Sequence, residues 1–188
     1  AKLGWHLRSQ LAPGTHCALE HGGVAPVIVA DDADLENAIS SLVKGGFYHA
    51  GQVCVSTQRV FVHTDIFDHF CEQLIEKTKL LSVGDPLNPS TDVGPLISKS
   101  EVNRTEEWVL DAISQGADVG CGAKKLSLTC YAPTILINPP PTARVSHEEL
   151  FAPVLCIYRY ETIDAAIAMA NDVPFAFQAA VFTKNLTT

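Results

Sequence analysis

Two spacings of apolar residues alternate along the chain. Short apolar runs between charged or turn-forming residues predict strands, and apolar residues that recur every three to four positions predict helices. The predicted strands cover residues 26–30, 59–63, 117–121, 133–137, 154–160 and 179–183. The predicted helices cover residues 32–47, 65–81, 98–115 and 162–171. Ser98 and Glu101 form a capping-box pattern at the start of the third helix.

This alternation is typical of an α/β fold, in which a mostly parallel sheet lies between flanking helices in three layers. No linker interrupts the pattern, so we predict a single domain over residues 1–188. Active sites in sheets of this kind lie at the carboxyl ends of the strands, and we expect the functional residues there.

Charge and cysteine content narrow the function classes. The 188 residues include 13 Lys and Arg against 21 Asp and Glu, a formal net charge of −8. This argues against a nucleic-acid groove and against a polybasic membrane surface. The six cysteines are scattered without a CxxC pair, which favours a reducing cytoplasm. No HxH or HxxxH spacing is present, so no metal site is predicted.

The first residues indicate a piece of a longer polypeptide. The chain begins at Ala1, carries its single methionine at Met169 and shows no signal peptide. The opening AKLGWHLRSQLAPG reads as the body of a helix without its cap. We therefore expect a fragment.

Cys54 is the first candidate for chemistry. It follows a predicted helix in FYHAGQVC (47–54), where Gly51 permits the unusual backbone angle of a sharp turn. A thiolate presented there is a strong nucleophile toward a carbonyl carbon. The alternative is a buried cysteine that acts as a small hydrophobic residue, as we predict for Cys71 and Cys156.

Glu20 is the second candidate. It lies in CALEHGGVAP (17–26), an apolar and Gly-rich setting. Such a setting raises the pKa of a carboxyl group toward neutrality and makes it a usable general base. The alternative is a surface or capping glutamate ahead of a Gly-Gly turn.

Glu148 and Glu149 come third, in SHEELFAPV (146–154). Ser146 with Glu149 satisfies the capping-box pattern, which would explain both residues structurally. Phe151 is predicted to be either a core residue or a flat surface for a planar ligand.

Histidines near these candidates leave a different enzyme class open. His21, His49 or His147 could act as base for Cys54 in a Cys–His hydrolase. Gly22 and Gly23 do not form a dinucleotide-binding fingerprint.

Five segments in a specific order carry a family resemblance. They are LEHGG (19–23), FYHAGQVC (47–54), GDPLNPSTDVGPLIS (84–98), HEELFAPV (147–154) and ANDVPFAFQAAVFTKNL (170–186). With this order, the chain resembles the catalytic domain of the NAD(P)-dependent aldehyde dehydrogenase superfamily over essentially its whole length.

The resemblance implies a role for each candidate. Cys54 matches the thiol that forms a thiohemiacetal and then a thioester, and Glu20 matches the base that activates the thiol, the hydrolytic water, or both. Glu149 matches the residue that binds the nicotinamide ribose, and Phe151 the residue beside the nicotinamide. Gly22 falls among the cofactor contacts. The implied cofactor is NAD or NADP, and the implied substrate is a small aldehyde.

The chain departs from the family pattern at three positions: His21 replaces a leucine, Val24 a lysine and His49 an asparagine. The presence of Glu20 favours hydrolysis over the CoA-acylating branch of the family, which usually lacks this residue. A catalytically idle interaction module remains the alternative from another class.

The resemblance also describes what surrounds this segment. It implies that residues 1–18 are the end of a preceding cofactor-domain helix and its linker, and that the parent enzyme is a homo-oligomer. The chain alone is therefore expected not to oxidise aldehydes with NAD, and to self-associate through exposed apolar faces.

Overall fold

The computed structural model describes residues 2–185, with Lys2 described by its backbone alone. Ala1 and residues 186–188 lie outside the described residues, so the predicted domain ends and the last residue of the fifth motif, Leu186, do as well.

The described strands form one sheet. They are β1 (Ala25–Val29), β2 (Thr57–His63), β3 (Asp118–Cys121), β4 (Thr134–Ile137), β5 (Val154–Tyr160) and β6 (Ala180–Phe182). The sheet order is β3-β4-β5-β2-β1-β6. β3 pairs antiparallel with β4, and the other pairings of these strands are parallel. The prediction of a mostly parallel α/β sheet is confirmed.

Helices connect most of the strands. They are α1 (Lys2–Ser9), α2 (Leu35–Phe47), α3 (Phe67–Lys79), α4 (Lys99–Ser114), α5 (Arg144–His147) and α6 (Ile163–Asn171), with a 3-10 turn at Tyr48–Gly51. Ser98 caps α4, since its Oγ accepts the N–H of Glu101 at 3.4 Å. The Glu101 carboxylate instead accepts from Arg104, so only half of the predicted capping box forms.

The sheet has a core on each face, which gives the three predicted layers. Alternate residues of a strand point to opposite faces. Val60 and Val62 of β2 therefore join the larger core with α2, α3 and α4, whereas Phe61 packs with Ala166 of α6. Cys71 and Cys156 are buried in the larger core, as predicted for small hydrophobic cysteines.

Within residues 2–185, no helix is both long enough and apolar enough to cross a lipid bilayer.

Candidate active site

The candidate residues lie on three loops that enter neighbouring strands. Glu20 and Gly22 precede β1, Cys54 precedes β2, and Glu149 and Phe151 precede β5. Because β1, β2 and β5 are adjacent and parallel, these loops meet at one edge of the sheet, the amino edge. The expectation that the candidates lie at the carboxyl edge is therefore wrong.

Cys54 lies in an irregular turn between the 3-10 turn and β2, and its side chain is half-buried. The turn is entered through a left-handed backbone at His49, Ala50 and Gly51, with φ of 48°, 57° and 72°. The first two of these are strained for residues with a side chain. A side chain on Gly51 would collide with the carbonyl oxygen of Ala152, so the predicted need for glycine there is confirmed.

Gln52 ties the Cys54 turn to a second loop. Its Nε2 donates to the carbonyl oxygen of Pro95 at 3.2 Å, and its Oε1 accepts the N–H of Ile97 at 2.9 Å. Two hydrogen bonds of the Gln52 side chain therefore hold the start of the turn against this loop.

An apolar groove opens beside the cysteine. It has a volume of about 530 Å³, and the residues on either side of Cys54, Val53 and Val55, both line it. Tyr48 and Phe182 contribute aromatic surface to the same groove.

Glu149 lies against the Gly22–Gly23 peptide. The N–H of Gly23 donates to its Oε1 at 3.1 Å, and a side chain on Gly22 would occupy the space that the carboxylate fills. Ser146 lies inside α5 and donates to the carbonyl oxygen of Pro140. The capping-box interpretation of Ser146 and Glu149 is therefore wrong, since neither residue caps a helix.

Phe151 presents its ring to solvent beside this carboxylate. Its backbone is left-handed, with φ of 57°, and the residue is 39% exposed. A cleft of about 680 Å³ runs past the same segment and is lined by Gly22, Gly23, Glu149 and Phe175. This exposure rules out the core position for Phe151 and leaves the prediction of a flat surface for a planar ligand.

Glu20 does not have the apolar surroundings that its sequence context predicts. Its side chain is exposed, and it makes no hydrogen bond or ion pair with any described residue. The neighbouring His21 instead stacks on Trp5, with ring centroids 5.2 Å apart, and packs against Phe175. The apolar environment at this point therefore surrounds His21 rather than Glu20.

The two buried thiols differ from Cys54 in accessibility. Burial raises the pKa of the Cys71 thiol to about 12, and burial likewise raises the pKa of Cys156 to about 12. Thiols of this kind stay protonated and unreactive at neutral pH.

Two other kinds of chemistry would need a histidine base for Cys54 or a bound metal ion. His49 packs against Tyr48, and no hydrogen bond joins Cys54 to a histidine among the residues described. The described part of the chain contains no group of three or more side chains arranged to hold a metal ion.

Two polar residues of β2 were missed in the sequence analysis. Gln58 and Arg59 are both buried, and both hold loops through their side chains. Arg59 donates to the carbonyl oxygens of Val24, Met169 and Ala170, while burial lowers the pKa of its guanidinium. The available signal was the placement of Gln and Arg within an apolar strand, because buried polar side chains need partners.

Comparisons with known proteins find relatives in sequence and in fold. The model described as the aldehyde dehydrogenase family matches residues 1–188. A 3-sulfolactaldehyde dehydrogenase of Priestia aryabhattai is 43% identical over 169 residues, which are 90% of this chain and 35% of that protein. The chain thus spans about a third of the length of the curated relatives it matches.

Two solved structures are similar over nearly the whole chain. A glyceraldehyde-3-phosphate dehydrogenase of Methanocaldococcus jannaschii, complexed with NADP, matches with a TM-score of 0.94 and 38% identity, over 99% of this chain and 40% of that one. A betaine aldehyde dehydrogenase of Staphylococcus aureus, in complex with NAD+, matches with a TM-score of 0.93 and 34% identity, over 99% and 38%.

Proposed function

The chain belongs to the aldehyde dehydrogenase family, and on that premise we propose that it carries the nucleophile, the base and part of the cofactor site of an enzyme that oxidises an aldehyde to a carboxylate. The observation that carries the proposal is the meeting of three loops at the amino edge, which bear Glu20, Cys54 and Glu149. These are the group types that thioester chemistry with a ribose-containing cofactor requires.

Cys54 forms the bond to the substrate in this proposal. Its thiolate attacks the aldehyde carbon, and the carbonyl oxygen becomes an oxyanion. The backbone N–H of Cys54, which has no partner among the described residues, donates to that oxygen. The loss of one such donor typically costs about 2.7–4 kcal/mol of transition-state stabilisation.

Glu149 and Phe151 suit a nicotinamide cofactor. A half-buried carboxylate can accept the two hydroxyl donors of a ribose, and an exposed ring can pack on a flat heterocycle. Gly22 leaves the space in which this carboxylate lies. When bound, NAD or NADP supplies the acceptor for the hydride that leaves the substrate carbon.

Glu20 completes the turnover. The thioester on Cys54 is hydrolysed by a water molecule that Glu20 deprotonates, which releases the carboxylic acid and regenerates the thiol. Glu20 is exposed in this chain, so its carboxylate is accessible to a water molecule. General-base assistance of this kind typically contributes about 10²–10⁴-fold.

The groove beside Cys54 suits the rest of the aldehyde. Val53 and Val55, the chain neighbours of Cys54, give the groove apolar surface, and Lys44 and Ser41 add polar groups. We propose that the carbon chain of the substrate lies in this groove.

The alternatives are less well supported. Transfer of the acyl group to CoA needs no activated water, so the presence of Glu20 favours hydrolysis over a CoA-acylating enzyme. A Cys–His hydrolase would need a histidine that hydrogen-bonds to Cys54, and no such bond forms among the residues described. An idle interaction module would not need both Cys54 and Glu20.

We propose further that this chain alone does not oxidise aldehydes with NAD, because it supplies few cofactor contacts. Leu3, Trp5 and Leu7 of α1 are exposed, as are Phe175 and Phe177. Self-association through such apolar surface is expected, as is a homo-oligomeric, cytoplasmic parent enzyme. Analytical ultracentrifugation of this chain at increasing concentrations tests for the self-association.

An ester substrate tests the thiol chemistry of this chain without any hydride acceptor. p-Nitrophenyl acetate transfers its acetyl group to the nucleophile and releases nitrophenolate, so a stoichiometric burst reports thioester formation. We expect the burst in the wild-type chain, its loss in Cys54→Ser, and acetylation at Cys54 in peptide mass spectra. In Glu20→Gln the burst should remain while the later hydrolysis slows by about 10²-fold.

Two matched variants control for general effects. Cys130→Ser removes another half-buried thiol and Glu148→Gln another exposed carboxylate, and both should leave the burst and the later hydrolysis unchanged. A burst that survives Cys54→Ser, or acetyl groups spread evenly over Cys17, Cys54 and Cys130, would contradict the proposal.

A further inference from the structure

Gln58 is a buried polar side chain in the sheet that the proposed chemistry does not use. It is the second residue of β2 and is 6% exposed. Its Nε2 donates to the carbonyl oxygens of Val145 and Glu148, both at 2.8 Å, and its Oε1 accepts the N–H of Leu150 at 2.9 Å. All three hydrogen bonds therefore go to the backbone of one distant segment, residues 145–150.

That segment has no regular secondary structure of its own where Glu149 lies. α5 ends at His147, Glu148 is extended, and Phe151 has a left-handed backbone. Arg104 of α4 donates to the carbonyl oxygen of Leu150 at 2.7 Å. The peptide groups on both sides of Glu149 are thus held by side chains from other elements.

The carboxamide is the group that this position requires. It supplies two N–H donors and one acceptor in a plane, and all of these are used. A glutamate here could accept from Leu150 but could not donate when ionised, and a methionine of similar length could do neither.

We propose that Gln58 is a positioning residue that holds the Glu149–Phe151 segment in register with the Cys54 turn. β2 starts at Thr57, three residues after Cys54, so the strand that anchors the thiol also anchors this segment. The importance of the segment for a cofactor rests on the function proposed above. Its placement by Gln58 does not.

Amide hydrogen exchange measured by NMR on the 188-residue chain tests this proposal, with two reporters. The N–H of Leu150 reports its bond to Gln58, and the N–H of Gly23 reports whether the Glu149 carboxylate stays in place. In Gln58→Met both amides should exchange about tenfold faster. In Gln58→Glu the acceptor remains, so Leu150 should stay protected while Gly23 accelerates.

Tyr160→Phe is the matched control. It removes the buried hydrogen bond from the Tyr160 hydroxyl to the carbonyl oxygen of Val29 at the other edge of the sheet. It should leave the exchange of Leu150 and Gly23 unchanged. If Gln58→Met does not fold, Gln58→Glu tests the proposal by itself: the Leu150 amide should stay protected while the Gly23 amide exchanges faster.

The proposal would be overturned if the Gly23 amide of the Gln58 variants exchanged at the wild-type rate. It would also be overturned if Tyr160→Phe accelerated exchange of the Leu150 and Gly23 amides as much as the Gln58 variants do. These measurements need neither substrate nor cofactor. If Cys54 were not acetylated, the proposed function would be overturned and this inference would stand. If the exchange measurements failed, this inference would be overturned and the proposed function would stand.

Discussion

The two edges of the sheet are built in different ways. At the carboxyl edge, short connections lead from strands into helices, and local side chains cap two of these helices: Asp34 accepts from Asn37 at α2, and Thr162 accepts from Ala165 at α6. At the amino edge, the entries to β2 and β5 have left-handed backbones at Gly51 and Phe151.

The difference lies in what holds each edge. At the carboxyl edge, local helix caps are joined by bonds that span the fold, such as the one from the Tyr160 hydroxyl to the carbonyl oxygen of Val29. The amino edge is ordered by side chains that reach across the fold, such as Gln52, Gln58 and Arg59. Strained backbone that is held by distant partners is a common property of functional sites, and the proposed active site lies at this edge.

Gly51→Val, at the amino edge of the sheet, is expected to have the largest effect on both stability and activity. The new side chain would collide with Ala152 and would also have to adopt φ of 72°. We expect a loss of roughly 2–3 kcal/mol of unfolding free energy together with loss of the nitrophenolate burst. Urea denaturation and the ester assay measure the two effects.

Gly116→Val is the control for that substitution. Gly116 also has a positive φ, of 111°, but has no atom near the position of a side chain. The substitution should lower the unfolding free energy only through backbone strain, and the nitrophenolate burst should remain. Equal loss of the burst in both variants would show that the contact with Ala152 is not what matters.

Gly22→Ala should act on Glu149 with a smaller cost in stability. The methyl group would take the space of the carboxylate and break its bond to the Gly23 N–H. We expect a loss of about 1 kcal/mol, with faster exchange of the Gly23 amide and an unchanged Cys54 burst. Gly94→Ala is the control, since the nearest atom to a new methyl group there is 3.8 Å away. It should change neither the unfolding free energy nor the exchange of the Gly23 amide.

Asp34→Ala tests the carboxyl edge. Loss of the cap on α2 should lower the unfolding free energy by about 1 kcal/mol and leave the ester reaction of the folded chain unaltered. Asp34→Ser keeps a capping oxygen and should recover most of the stability in a urea titration. A change in burst amplitude in Asp34→Ala would show that the two edges are coupled.

The smallest effect concerns pH. Burial raises the pKa of Cys156 from 9.0 to about 12. Since the unfolded thiol ionises first, its contribution to stability is complete below about pH 9 and falls as pH rises toward about 12. Between about pH 8 and about pH 10, the unfolding free energy of Cys156→Ala should therefore fall less than that of the wild type. Cys130→Ala should behave as the wild type, and parallel slopes in all three chains would refute this account.

The elements could be predicted well from the sequence, and the surroundings of the candidates less well. β5 was predicted over 154–160, as observed, and the cap at Ser98 was found from its local pattern. The roles assigned to Ser146 and Glu149 as a capping box were wrong, because α5 ends before Glu149 and leaves it to pack on Gly22. Spacing alone does not say where a helix stops when distant side chains hold the next segment.

The sequence by itself determined the longer helices, the strands and the α/β class, because the spacing of apolar residues is a local property that matches the geometry of each element. It also singled out Cys54, Glu20 and Glu149 through ordered motifs. Only the tertiary structure decided that the candidate loops meet at the amino edge, that Glu20 is exposed, and that Gln58 holds the segment around Glu149. These depend on strand order and on hydrogen bonds between residues far apart in the chain, which local patterns do not contain.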